Sequence, residues 1–495
     1  MARRGRPPDF PEKSGPMSRL ITVMALVAVL VGGGITDALV SRGPAPASEI
    51  RPPIAYALGA QTAESAEWTC PAGSGPGGAA VAHVVVTNPT GRVLEGTLEA
   101  VSSDGHSVSA PLSVPPGGQA SAVPASLISG AFVGAMVVLD GGGGAVSETL
   151  GMPAAWGTMA CASTPSSAWY FAAGSTASNR RLDLYLMDPG ATSALVNLSF
   201  ATPNGSVAPA SLQGISVPAG GLVVVDVSRH ISPQPEVATS VKAISGDVIA
   251  AETESPGQNG APGLAAWLGA TAPSTAWYLP STADTRGSAV SLLIYNPESR
   301  PARVRLLFHG PDGLTASLAQ QIGPHSIHRV SLTKDHAIPS DLPFSTTLLS
   351  TDGVGVVVER SVTANPEAPS PRFGASPALA LAADRWIVPS ISVPGSAPWR
   401  LTVMDLAGRP VDMSVMAPTI TAAVGKAGAL LAPVPTLTDI RIRPGKPFST
   451  VVNPGFPIGD LPLQVLASGP VGVSLQALPA GSPGVVEVPC FPAGR

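Results

Sequence analysis

Four tryptophans, Trp68, Trp169, Trp277 and Trp386, stand 101, 108 and 109 residues apart. Each opens a stretch of short apolar alternations cut by Pro, Gly, Asn and Asp. A period of that length is a whole domain, not one turn of a solenoid. The chain therefore reads as four copies of one design.

The copies agree in their turns. Nineteen or twenty residues after the tryptophan comes an Asx, as Asn88-Pro89, Asp188-Pro189, Asn296-Pro297 and Asp405. Asn and Asp bond their own downstream backbone and Pro fixes φ, so this pair closes a strand. An Asx-Gly follows in three copies, as Asp104-Gly105, Asn204-Gly205 and Asp312-Gly313, the strongest short hairpin signal. A third turn falls at Pro116-Gly117, Pro218-Ala219 and Pro324-His325, and the fourth copy departs from the pattern near residue 421. Each of the first three copies then ends on a Gly, an apolar strand and an acid, Gly142 to Glu148, Gly246 to Glu252 and Gly353 to Glu359, with Gln476 in the fourth.

These segments hold about seven strands per hundred residues and no amphipathic helix. Gly and Pro number 54 each, while 44% of residues are hydrophobic and only 12% charged, so turns are plentiful and apolar material suffices for cores. The expected fold is all-β: four tandem antiparallel, Ig-like β-sandwiches, each plugged by its tryptophan. Trp156, Trp267 and Phe373 fall in the Ala- and Pro-rich linkers Pro153–Ser167, Pro262–Thr275 and Pro371–Ala383. They read as wedges that stiffen a string of modules.

The amino terminus adds a second constraint. Leu20 to Val40 is apolar except for Asp37 and long enough to span a bilayer. Basic residues precede it, which holds the amino terminus inside and exports the rest. Ala45-Pro46-Ala47 offers a small-x-small cleavage site, but Arg42 intervenes and the apolar run is long for a signal core, so an uncleaved anchor is favoured. The expected divisions are a cytoplasmic basic tail (1–19), a transmembrane signal anchor (20–40), a Pro/Ala-rich stalk (41–66), and modules at 67–161, 162–270, 271–380 and 381–495. The exported part is mildly acidic, which offers no footprint for nucleic acid.

Cys70, Cys161 and Cys490 lie on the exported side, where disulfides persist. Cys70 opens the module that Cys161 closes, so these two are the expected pair. A Cys70–Cys490 staple is the rival and requires the chain ends to meet.

Chemistry is sparse. No nucleophile elbow, no His-Glu-x-x-His and no phosphate-binding Gly-rich loop is present. His325, His328 and His336 cluster in sequence, but residues 325 and 328 point to opposite faces of a strand. Glu148, Glu252 and Glu359 recur at one strand end, where they would ligate Ca²⁺ or a sugar hydroxyl, or else cap a turn or pair with an Arg such as Arg360. The expectation is no enzyme, no cofactor and no metal.

Trp169-Tyr170-Phe171-Ala172-Ala173-Gly174, with Asp188-Pro189, Asn204-Gly205 and Glu252, resembles a module repeated in many bacterial surface proteins. That module opens Trp-Tyr-Phe-Ala-Glu-Gly, so Ala173 replaces its usual acid. The plan is similar to the small β-sandwich of sensory-rhodopsin-transducer proteins, a resemblance that implies sugar binding. The whole chain resembles an uncharacterised actinobacterial family of membrane-anchored exported proteins. The functional expectation is a non-enzymatic, membrane-anchored scaffold of the bacterial cell envelope. A cell-wall glycan-binding protein and an accessory subunit of an envelope-synthesis enzyme are its alternatives.

Overall fold

The computed structural model describes residues 53–58, 63–74, 80–152, 155–257, 260, 263–282, 288–332, 344–364, 372–389, 399–420, 431–452, 462–477 and 487–493. The expected tail and anchor, 1–40, lie outside these, as do His336 and the divergent turn near 421. Among the described residues no helix is long and apolar enough to cross a membrane.

The protein is all-β, with its strands in several antiparallel sheets. In the first copy the strands are β1 (Ala66–Ser74), β2 (Val81–Thr87), β3 (Leu94–Ser102), β4 (Ser107–Val114), β5 (Gln119–Ala122), β6 (Val133–Leu139), β7 (Ala145–Met152) and β8 (Ala155–Ala160). They form two four-stranded sheets, β1-β6-β3-β4 and β5-β2-β7-β8. The order recurs in the third copy, and in the second, where two short strands share the place of β4. In the fourth, one long strand, Leu463–Ala477, does the work of two. Its first part pairs with Ala383–Val388 and Val411–Ile420, its second with Trp399–Asp405 and Glu487–Val488. Gly469-Pro470 marks the change of partners.

The turns sit where the sequence places them. Asn88 Nδ2 donates to the carbonyls of Arg92, Val114 and Pro115, and Asn296 Nδ2 does the same to Arg300, Ile322 and Gly323. Asp188 and Asp405 instead accept from Gly190 and Ala407 N–H groups at 2.7 Å each. Gly205 and Gly313 carry φ of 117° and 119°, the left-handed region that only glycine enters freely.

All four tryptophans are buried. The indole N–H of Trp169, Trp277 and Trp386 donates to the equivalent carbonyls of Val248, Val356 and Val471 at 2.7, 2.7 and 3.0 Å. Cys70 and Cys161 are joined, with Cα atoms 4.6 Å apart, and the bond ties β1 to the end of β8. Cys490 is a free, buried thiol.

Three expectations need correction. The aromatic linkers are not linkers. Trp156, Trp267 and Phe373 belong to an eighth strand in each of the first three copies: β8, Ala265–Leu268 and Arg372–Pro377. Strands of four to six residues rich in Ala, Gly and Pro give too little alternation to be read from sequence. Nor do the copies form a string, because the last packs on the first. Thr158 Oγ1 donates to the Glu487 carbonyl at 2.6 Å, Gln464 Nε2 to Pro89 O at 3.2 Å, and the Phe491 ring meets Trp68 edge-on at 5.7 Å. Nor is the segment before β1 wholly a free stalk, since Ala55, Tyr56 and Leu58 are buried against the body.

Candidate functional site

The recurring acids do not occupy one equivalent place. Glu148 lies opposite Val84 and Glu252 opposite Leu184, each partner four residues before its Asx. In the third copy that place, opposite Leu292, belongs to Arg360, and Glu359 pairs with Leu293. The cause is one extra residue in the preceding turn. Gly246 stands two residues before the tryptophan's carbonyl partner Val248, whereas Gly353 stands three before Val356. A one-residue slip sends a strand side chain to the other face of its sheet. In the fourth copy the equivalent place holds Leu475, opposite Leu401, and Gln476 is one step past it.

None of these groups is open to a ligand. Glu148 and Glu252 are fully buried, with the Ala72 N–H beside the first carboxyl and the Thr239 hydroxyl beside the second. Burial pushes both well above the usual carboxylate range, and the neighbouring Glu359 adds to the effect at Glu252. Glu359 Oε2 accepts from the backbone N–H groups of Ala172 and Ala173, across the junction between the second and third copies. Burial outweighs those two donors and lifts its carboxyl to about 8.

The remaining polar residues tie neighbouring copies together. Ser240 Oγ and the Tyr295 hydroxyl lie 2.8 Å apart. Gln476 exchanges two hydrogen bonds with Ser281, at 2.7 and 3.0 Å. Arg360 does not pair with Glu359. Its guanidinium donates to Ser281 O at 2.7 Å and Ser376 Oγ at 3.0 Å, and meets Glu487 Oε2 of the fourth copy at 2.6 Å. Between the first and second copies the contact is apolar, with the Phe132 ring edge-on to Tyr185 at 5.8 Å beside Val101, Met187 and Leu222.

The junction between the second and third copies keeps a polar cleft of about 580 Å³. On its walls Arg180 pairs with Glu254 at 3.3 Å and Arg329 with Glu236 at 3.0 Å. The Arg180 guanidinium lies over the Phe373 ring, 3.2 Å from its centroid. Burial lifts Glu254 to about 7 despite Arg180 beside it. Ser175, Ser361 and Thr363 add hydroxyls. Sequence reasoning missed this cleft because its residues come from two copies and share no motif. The spacing of Phe373 was the only hint.

Among the described residues no group of three or more His, Cys, Asp or Glu is placed to hold a metal. His325 occupies a turn at φ 47°, and His328 lies on the following strand, Ser326–Ser331.

A repeated all-β body whose copies pack on one another is thus the class the fold defines. Within it, residues 149–335 match the profile of a family of unknown function, DUF5719. No curated protein matches the chain. Among solved structures, Thermotoga maritima 1070 aligns over 21% of this chain and 93% of its own, at 22% identity and a TM-score of 0.20. A tetra-tandem repeat from the extending region of a large adhesion protein aligns over 85% of this chain and 97% of its own, at 13% identity and a TM-score of 0.10.

Proposed function

We propose that this chain is a non-enzymatic scaffold of the bacterial envelope, four Ig-like sandwich modules held outside the membrane by the Leu20–Val40 anchor. One observation carries the reading. Several of the buried polar side chains hold the copies to one another, as Glu359 on Ala172 and Ala173, Arg360 on Glu487, and Gln476 on Ser281. A catalytic site needs such groups free to meet substrate. The disulfide fits an oxidising compartment. The test is protease added to intact cells, followed by membrane fractionation. The scaffold reading expects the body to be shaved from the outside and the anchor to stay with the membrane. A full-length, protected protein in the cytosolic fraction refutes it.

A second reading, binding of a cell-wall glycan, is favoured by the polar cleft. Its two Arg–Glu pairs are charge-balanced and offer donors and acceptors together, the chemistry that suits neutral hydroxyls. Saturable retention on purified wall polysaccharide, lost in Arg329→Ala, supports it. Equal retention of both proteins counts against it.

A further inference from the structure

The body contains one stretch that belongs to no copy. Residues Pro53–Leu58 precede β1 and pair into none of its first-copy sheets. They are nonetheless held from three directions. Ser163 N donates to Ala55 O at 2.7 Å, and Ser163 Oγ to the carbonyls of Ala55 and Ala57 at 3.1 Å each. Thr271 N donates to Pro53 O at 3.2 Å. Leu58 N donates to Pro492 O at 3.0 Å, and Leu58 makes a parallel bridge to Ala493.

These three anchor points are the same position in three copies. In each, the strand opened by the tryptophan bridges to a residue after the eighth strand: Thr69 to Ala162, Tyr170 to Ala270, and Ile387 to Phe491. Ser163, Thr271 and Pro492 are the next residues along. The repetition therefore brings equivalent backbone groups of the first, second and fourth copies onto one segment.

Side chains follow the same logic. Ile54, Tyr56 and Leu58 alternate along the segment, which bends at Pro53 and Ala55. Tyr56 lines a cavity together with residues of all four copies, Thr158, Trp267, Pro377, Val473 and Val488, with Cys490 beside it. Its ring stands edge-on to Phe491 at 6.0 Å. Ile54 lines a neighbouring hollow with Leu268, Trp277 and Val358. Backbone hydrogen bonds for affinity and pockets for alternate side chains are how a protein binds an extended peptide.

The geometry points to residues Pro53–Leu58 as an intramolecular peptide ligand, seated in a peptide-binding groove that the inner strands of the copies and the C-terminal strand form together. The groove takes a segment with an aromatic at its centre, small residues on either side, and an aliphatic two residues away in each direction. The segment lies downstream of Ala45-Pro46-Ala47, so cleavage there leaves it in place. On the scaffold reading, a pull on the anchor is delivered through this docked segment to the line where the copies meet. The docking itself does not depend on that reading.

The experiment uses the full chain with a sequence-specific protease site inserted between Gly59 and Gln61. After cleavage the amino-terminal piece is expected to co-elute with the body in native gel filtration. It is expected to be released by excess synthetic Pro53–Leu58 peptide. Tyr56→Asp, which lies outside every copy, and Ser163→Pro, which removes a donor on the body, should each speed release at least tenfold. The disulfide and the circular dichroism of the body report that it remains folded. Immediate separation of the unsubstituted piece overturns the proposal, and so does equal retention of the Tyr56→Asp piece. Neither result affects membrane fractionation, so the two ideas fail separately.

Discussion

Replacing Glu359 by Gln should make the body less sensitive to alkali. The carboxyl is buried, its two accepted N–H bonds do not offset burial, and its pKa rises from 4.5 to about 8. Between those values the folded protein holds a proton that the unfolded chain releases. Stability attributable to this group is thus full below about pH 4.5, falls as pH rises, and levels off above about 8. Each unit is worth 1.36 kcal/mol, so the loss is about 3 kcal/mol at pH 7 and about 5 kcal/mol above pH 8, as orders of magnitude. Gln keeps an acceptor for Ala172 and Ala173 but adds a buried amide N–H₂, which costs about 1–3 kcal/mol. The two effects nearly cancel at pH 7. At pH 8.5 the variant should be the more stable protein, and at pH 5 the less stable. Urea denaturation at pH 5, 7 and 8.5 measures the difference curve. Glu148, Glu252 and Glu254 share the raised pKa, so the difference, not the wild-type slope, is the diagnostic. Parallel curves for the two proteins would refute the argument.

Further outcomes follow from the same contacts. Arg360→Ala removes the charge partner of Glu487 and one of the two donors to the Ser281 carbonyl, and should cost about 3–5 kcal/mol in chemical denaturation. Restoring the loss with Glu487→Gln in the Arg360→Ala background would identify the unpaired charge as the cause. Replacing Cys70 and Cys161 together by Ser should cost about 2–4 kcal/mol, and the loss should disappear when both proteins are compared in reductant. Asn88→Ala removes one donor from each of three carbonyls and the acceptor of the Thr90 N–H, and should cost about 1–3 kcal/mol in a melting experiment. A change under about 0.5 kcal/mol there would mean that water replaces the side chain.

The turns and the tryptophan spacing were legible because they are local or repeated. An Asx side chain bonds backbone within a few residues, and Gly at positive φ leaves a mark in any sequence. The disulfide was legible because Cys70 opens and Cys161 closes one copy. The eighth strands were not, since Ala265–Leu268 pairs with Ile249–Pro256 by register rather than by pattern. The acids misled for a related reason. Glu359 matches Glu252 by distance from the turn glycine, yet one extra turn residue moves it to the other face. The polar cleft draws Arg180 and Arg329 from different copies, and nothing in either segment announces the other.

Taken alone, the sequence determined a fourfold all-β design, its hairpins and its buried tryptophans. These follow from alternation and turn chemistry, whose range is a few residues. Only the tertiary structure decided that the last copy returns to the first, that Pro53–Leu58 docks where the copies meet, and which acids lie at junctions. Those outcomes depend on surfaces from distant segments fitting together, and a contact such as Thr158 to Glu487 exists only once both segments have folded.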